Sequence, residues 1–394
     1  MKRIRTIKYA PYHLLALTAM LAFTACSDDD GQPTARGTRH EVTLAVGAQD
    51  YQDDGIGVTR TIPTGFKPYD ELYPHASSSN ANILAFITPQ EGNNVLSRLF
   101  ALQQKDTPTP SEPPYLWTTN VSVEDDGKPH YIYGFMPISD NTSDDVSVAK
   151  LEGAESFADG ATITIRKLNT VTSGDVCVIV GAKAAPDEST PISATTTDVR
   201  QGQFAYTFSQ EKKDYIYLLL DHIYVGLRFQ IKVDDDYNEL RTIKLKKMEL
   251  EAMNADGTRF ANTADVTITL KANDSGATPI ERVTYSSNTS ETAKRATLDD
   301  ATDMVLSSEY QDIMSCFSPA SPLSFHLITH YEVYDKKGNL IRENCQAENN
   351  FQPNIPAYEL KRGIRHTVQI VVNPTYLYVL SEPDLDTPTF HVGD

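Results

Sequence analysis

Residues 220–233 read LDHIYVGLRFQIKV, and within them Val225, Leu227, Phe229, Ile231 and Val233 alternate strictly with Gly226, Arg228, Gln230 and Lys232. A period of two sets one apolar row toward a core and one polar row toward water, which a helix of 3.6 residues per turn cannot do. The stretch is therefore a half-buried strand. The rhythm recurs on both sides of it. Val42, Leu44 and Val46 alternate near the start of the chain, and ANILAFITP, HYIYGFMP, ATITIRKL, GDVCVIVGAK, QFAYTF and ADVTITLKA are short apolar runs bounded by Ser, Thr, Asp, Gly and Pro. In LRTIKLKKMELEAM the alternation runs through Ile243 and Leu245, then changes phase at Lys247-Met248 to Met248, Leu250 and Ala252, which predicts a bulge. LSFHLITHYEVYDKKGNLIREN predicts a hairpin turning at residues 335–339. His366, Val368, Ile370 and Val372 predict another strand in ELKRGIRHTVQIVVNP.

Short strands at regular spacing, long polar loops and no alternation of strand with helix predict an all-β protein built of sandwiches. Removal of an N-terminal leader of 25 residues from the 394 leaves 369, enough for two domains at about 150 residues each. The expected division is an N-terminal domain over 41–212 and a C-terminal domain over 213–394. One or two short helices are expected besides. Leu298, Val305, Leu306, Tyr310, Ile313, Met314 and Phe317 fit a helical stripe over about 297–317. RLFALQQ either continues a strand or forms one helical turn, and DDDYNE at 234–239 reads as a solvated acidic turn.

The leader itself has Lys2, Arg3, Arg5 and Lys8 before an apolar run from Leu14 to Phe23, too short to span a bilayer. This is a secretion signal over residues 1–25. Phe23-Thr24-Ala25-Cys26 resembles a bacterial lipobox, with Phe23 in place of the usual Leu, so that Cys26 would carry the lipid and become the new N-terminus. An ordinary signal followed by an incidental cysteine is the alternative. Each buried methylene contributes roughly 0.8 kcal/mol, so diacylation would hold the chain on a membrane. Ser27, Asp28, Asp29 and Asp30 resemble the acidic signal that some Gram-negative groups place after the lipid cysteine for export to the outer face of the outer membrane. A solvated acidic linker is the plainer reading of the same run. Residues 26–40 are expected to form a polar tether.

Net charge is −18, and the leader holds four basic and no acidic residues, so the mature chain is near −22. Nucleic acid is excluded as a partner because phosphate neutralisation needs Lys and Arg clusters. Acidity of this kind suits solubility at a crowded surface. After Cys26 only Cys177, Cys316 and Cys345 remain. Cys177 lies in the apolar VCVIV and reads as a buried thiol, whereas Cys316 and Cys345 have no pairing that spacing can decide.

No catalytic constellation is present in the sequence: G-x-S-x-G, P-loop, HExxH and Cys-x-x-Cys are all missing. His326 and His330 would pair on a helix, but their segment alternates like a strand, which sets them about 13 Å apart. They read as structural or exposed histidines. Residues 234–239 lack the glycine that an EF-hand loop needs. Neither a metal nor a cofactor is expected, and the chain reads as no enzyme.

Together, the lipobox, the first alternating strand, Val58-Thr59-Arg60-Thr61 with Phe66 after it, ILAFITP, YIYGFMP, LDHIYVGLRFQIKV and ELKRGIRHTVQIVVNP resemble the fimbrillin superfamily of Gram-negative lipoprotein pilins, its major and minor fimbrial subunits and fimbrial anchors. The resemblance covers most of the mature chain, with His366 in the place where the family has an aromatic residue. It implies two transthyretin-like β-sandwich domains without catalysis, on the cell surface, partnered by other fimbrial subunits and by a host or bacterial surface receptor. In fimbrillin stalk subunits a protease cuts after an arginine beyond the first strand, the strand leaves, and a strand of the next subunit fills the groove, a form of strand addition. Carried over, residues 41–47 with Val42, Leu44 and Val46 are the candidate removable strand and Arg60 the candidate processing site, though an ordinary loop arginine is the alternative. Leu377, Val379, Leu385, Phe390 and Val392 near the C-terminus are possible donor residues, with Pro383 and Pro388 favouring a terminal strand with a loose tail instead. Stalk, tip and anchor roles stay open. A glycan-binding surface lipoprotein is the second class, with the single Trp117, beside Tyr115 in a proline-rich loop, as its stacking platform.

Overall fold

The computed structural model describes residues 39–49, 51–53, 66–68, 81–89, 96–104, 117–124, 127–136, 145–171, 175–185, 201–207, 215–254, 258–287, 296–298, 303–319, 324–351, 361–377 and 382–392. In chain order the first strands are β1 (Arg39–Gln49), β2 (Gln52–Asp53), β3 (Phe66–Pro68), β4 (Ala81–Pro89), β5 (Leu96–Gln104), β6 (Trp117–Glu124), β7 (His130–Met136) and β8 (Val146–Lys150). There follow β9 (Gly160–Asn169), β10 (Cys177–Ala185), β11 (Ala205–Tyr206), β12 (Tyr215–His222), β13 (Val225–Val233), helix α1 (Asp235–Leu240), β14 (Thr242–Met253), β15 (Thr263–Lys271) and β16 (Ile280–Ser287). The last are β17 (Ala296–Leu298), β18 (Met304–Val305), β19 (Gln311–Ser318), β20 (Ser324–Tyr334), β21 (Leu340–Phe351), β22 (Ile364–Leu377) and β23 (Glu382–Val392). The protein is all-β. Among the described residues no helix is long and apolar enough to cross a membrane.

Four sheets make two sandwiches. In the first, a sheet ordered β10-β12-β1-β6-β5-β4-β7-β11 packs on β16-β15-β9-β8. Their shared core contains Tyr133, Phe135, Val178, Val180, Tyr217 and Leu219 from one side and Ile163, Ile165, Val266, Ile268 and Leu270 from the other. In the second, β19-β13-β22-β2 with β23 packs on β17-β14-β20-β21, around Leu227, Phe229, Ile231, Ile370, Leu245, Leu250, Leu327 and Phe351. Strand β13 realises the alternation read from its sequence: Val225, Leu227, Phe229, Ile231 and Val233 are all fully buried, with Arg228, Gln230 and Lys232 half-buried between them. The chain does not fill the two cores in strict order. Strand β12 belongs to the first sandwich, β15 and β16 return to it from the second half, and β2 belongs to the second, so a cut at residue 213 separates strands that pair.

The bulge expected in β14 is present one residue earlier, since Leu245 faces Tyr331 and Lys247 faces His330, which leaves Lys246 as the extra residue. The hairpin turn is also as expected, with the Asp335 carboxylate accepting from the Lys337 and Asn339 backbone N–H groups at 2.9 and 2.8 Å. Among the described residues of 297–317 the expected helix is not formed: β17, β18 and β19 lie there instead. The cause is a second bulge. Phe229 faces Met314 while Gln230 faces Asp312, so Ile313 is inserted out of phase and the apolar spacing imitates a helical stripe. The acidic 234–239 stretch is instead the start of helix α1. Asp234 caps it by accepting from the Asp236 and Tyr237 N–H groups, Asp235 and Asp236 lie in its first turn, and Tyr237 is buried beneath it. RLFALQQ takes the strand alternative as β5, and Trp117 opens strand β6 where a loop was expected.

Candidate functional site

Strand β1 is a stave in a sheet that closes on itself. One of its edges pairs with β6 over residues 39–44 and with β3 over residues 47–49; the other runs parallel to β12, with Leu44 opposite Ile216, Val46 opposite Leu218 and Ala48 opposite Leu220. The ring is completed where β10 pairs with both β12 and β7. A closed sheet has an interior face, and that face is apolar: Ile132, Met136, Ile179, Ile216, Leu218 and Leu220 are fully buried, on the side away from the sandwich core. Val46 joins them at 1% exposure, as the partner of Leu218. Sequence alternation singled out Val42, Leu44 and Val46; the pairing sets Val46 on this row and Leu44 opposite Ile216, while the ladder to β6 shifts register between Glu41 and Thr43, around Val42. Since β12 and β6 are joined through β1, taking β1 out exposes two strand edges and the interior between them.

Beyond β1 the chain passes directly to the second sandwich, where Gln52 and Asp53 of β2 pair in parallel with Ile364 and Arg365 of β22. Tyr51 sits at the crossing. Its hydroxyl donates to Asp175 Oδ1 at 2.7 Å, and its ring lies 3.8 Å from the His222 ring and 5.4 Å from that of Phe317. Gly226 permits this approach, because a Cβ there would stand 3.3 Å from Tyr51 Cδ1 and 3.3 Å from Arg365 Cβ.

Behind Tyr51 lies a buried polar cluster at the end of the closed sheet. Cys177 and His222 are directly opposed on β10 and β12, and Asp175 precedes β10 by two residues. Asp175 Oδ2 is 2.6 Å from His222 Nδ1 and accepts from the Cys177 thiol at 3.2 Å, while Cys177 Sγ is 3.5 Å from His222 Nδ1. The Asp175 and His222 side chains are each 1% exposed. The turn from β12 to β13 is clasped from outside: Arg362 donates to Asp221 Oδ2 at 2.7 Å and to the His222 carbonyl at 3.2 Å, and Gly363 N–H donates to the Tyr224 carbonyl at 2.9 Å. Burial, reinforced by the nearby Tyr285 phenol and the Asp175 carboxylate, holds the Tyr224 phenol well above its ordinary pKa, so it stays a donor to the Asn169 carbonyl.

The cluster was not foreseen from the sequence, which drew attention to His326 and His330. Those two lie on β20 and face separate carboxylates, His326 with Glu348 at 3.4 Å and His330 with Glu249 at 3.3 Å. Asp175-Val176-Cys177 and Asp221-His222 are ordinary dipeptide-scale patterns 45 residues apart, and only strand pairing brings them together. Cys316 and Cys345 are free thiols on opposing sheets of the second sandwich, so they do not pair, and burial raises both thiol pKa values. Cys26, Ser27, Asp28, Asp29, Asp30 and Arg60 lie outside the described residues.

No known protein-family description matches the chain, and no curated protein sequence matches it. Solved structures do. A candidate cell adhesion protein of Bacteroides fragilis matches at 10% identity and a TM-score of 0.43, over 90% of this chain and 97% of its own. The fimbrial anchor protein Mfa2 of Porphyromonas gingivalis matches at 10% identity and a TM-score of 0.23, over 89% and 97%. A candidate polysaccharide-binding protein of Bacteroides thetaiotaomicron matches at 10% identity and 0.28, over 84% and 91%. At these scores the likenesses decide neither fold nor function.

Proposed function

We propose that this chain is a surface-anchored fimbrial subunit that works by adhesion and assembly and not by catalysis, with β1 as a removable plug. The observation that carries the reading is the placement of β1: an N-terminal strand held as a central stave, with Val46 on an apolar interior row and the candidate processing residue Arg60 beyond it in the chain. A strand so placed leaves a complementary slot when it departs, with backbone groups on both edges and apolar pockets at alternate positions. Cys26 carries the lipid, the acidic Ser27 to Asp30 run directs the chain to the outer face of the outer membrane, and cleavage after Arg60 frees the body of the protein from both. Its partners are other fimbrial subunits, whose donated strand occupies the slot, and a surface receptor.

Limiting trypsin on the detergent-purified protein tests this, followed by intact mass, gel filtration and electron microscopy. Cleavage after Arg60, loss of the fragment and growth of fibres are expected, and Arg60→Ala abolishes all three. Cleavage that leaves a monomer without fibres overturns the assembly role.

A further inference from the structure

We propose that Asp175, Cys177 and His222 form a binding site for a thiophilic divalent cation of the zinc and cobalt type. Cys177 Sγ, His222 Nδ1 and an Asp175 carboxylate oxygen all lie within 4.8 Å of one another, and all three residues are buried. Thiolate, imidazole and carboxylate together suit zinc or cobalt and disfavour magnesium and calcium, which take oxygen ligands throughout. At zinc bond lengths of about 2.3 Å to sulfur and 2.0–2.2 Å to nitrogen or oxygen, tetrahedral ligand atoms stand roughly 3.3–3.6 Å apart. The Sγ to Nδ1 separation of 3.5 Å already matches, and the Sγ to Oδ2 separation of 3.2 Å nearly does. The Oδ2 to Nδ1 edge, at 2.6 Å, has the length of a hydrogen bond and must open by about 0.7 Å when the ion replaces the shared proton. A rotation of the Asp175 carboxylate about its soft terminal torsion achieves that.

The surroundings are those of an oriented site. Asp175 Oδ1 accepts from the Tyr51 hydroxyl, which fixes the orientation of the carboxylate and leaves Oδ2 toward the cation. Paired strands hold two of the ligands: Cys177 is on β10, His222 ends β12, and Arg362 clasps the His222 carbonyl. Tyr51, half-buried and tilted against the His222 ring, covers the site. On binding, the thiol proton leaves to solvent and the proton shared by Asp175 and His222 leaves Nδ1, to Nε2 where that nitrogen is bare and otherwise to solvent, so that a thiolate, a neutral imidazole and a carboxylate ligate the cation. The three ligands do not belong to β1, so the proposal does not depend on β1 being a plug, although cleavage after Arg60 would take Tyr51 with the fragment.

Cobalt(II) titration of the full chain in detergent tests it. A thiolate-to-cobalt charge-transfer band that saturates at one equivalent and is displaced by zinc is expected. Cys177→Ser removes the band, Cys345→Ser retains it, and Tyr51→Phe weakens binding about tenfold as loss of an outer-shell partner does. If Cys177→Ser fails to fold, a chain with Cys26, Cys316 and Cys345 changed to alanine keeps Cys177 as the last of its four cysteines, and the band must persist. No band at one equivalent, a band lost with Cys345→Ser, or a band absent from the Cys177-only chain overturns the proposal.

Discussion

The first and last strands of the described structure are held in opposite ways. Strand β1 has ladder partners on both edges and closes a sheet, whereas β23 pairs, among the described strands, with β22 alone and lies beyond it at the sheet margin, where the Asn349 amide of β21 donates to the Phe390 carbonyl. Strand β23 shares that margin with β2: β2 covers residues 364–365 of β22 and β23 covers residues 370–377. Prolines gather where β22 and β23 pair beyond the end of β13, whose ladder to β22 stops at Val372: Pro388 lies opposite Pro374 and Pro383 opposite Tyr376. The lesson is that the strand whose loss would open the molecule is the N-terminal one. The C-terminal strand is held by its ladder to β22 and by Phe390, at 2% exposure and 4.7 Å from the Tyr331 ring.

Matched carboxylates on the two strands put a magnitude on that contrast. Val46→Asp places an unpaired charge inside the closed sheet and is expected to cost about 4 kcal/mol or more in urea unfolding, while Val392→Asp, partly buried at the margin, costs about half as much or less. Equal costs would break the comparison. Phe390→Ala is expected to cost about 3 kcal/mol. A loss under about 1 kcal/mol would mean that β23 is loosely docked and free to serve as a donor.

Much of the fold was legible because the strands alternate over an apolar core, as β13 and β9 do with buried Ile163 and Ile165. Two things were not legible. Bulges shift phase by one residue, so Ile313 turned a strand into an apparent helical stripe, and strand partners are long-range choices that no local pattern encodes. For that reason the return of β15 and β16 to the first sandwich, and the meeting of Asp175, Cys177 and His222, appear only in three dimensions. The alternation of β1 was readable from Val42, Leu44 and Val46, but the closed sheet in which that strand is held was not.

Smaller effects probe the crossing between the two sandwiches and the outer face of the second. Tyr51→Phe removes a hydrogen bond to a buried carboxylate and is expected to cost roughly 1.5–2 kcal/mol, measured by the denaturation midpoint. Burial pushes the Glu249 carboxyl up, but its hydrogen bonds from Lys247 and His330 overcome this, so its pKa lies below the ordinary value. A depressed carboxylate stabilises the fold above its unfolded pKa and loses that contribution as pH falls through the folded value. Glu249→Gln should therefore flatten the acid limb of stability below about pH 5, by well under 1 kcal/mol because Lys247 is partly solvated. An unchanged acid limb would remove Glu249 from the account.

The most direct test of β1 as a plug is to cleave the protein with trypsin, remove the released fragment, and titrate in a synthetic peptide of residues 39–53. The account predicts that one peptide binds per chain, restores the unfolding midpoint of the uncut protein and stops fibre growth. A fragment that stays bound after cleavage under native conditions, or a cleaved protein that takes up no peptide, would contradict it.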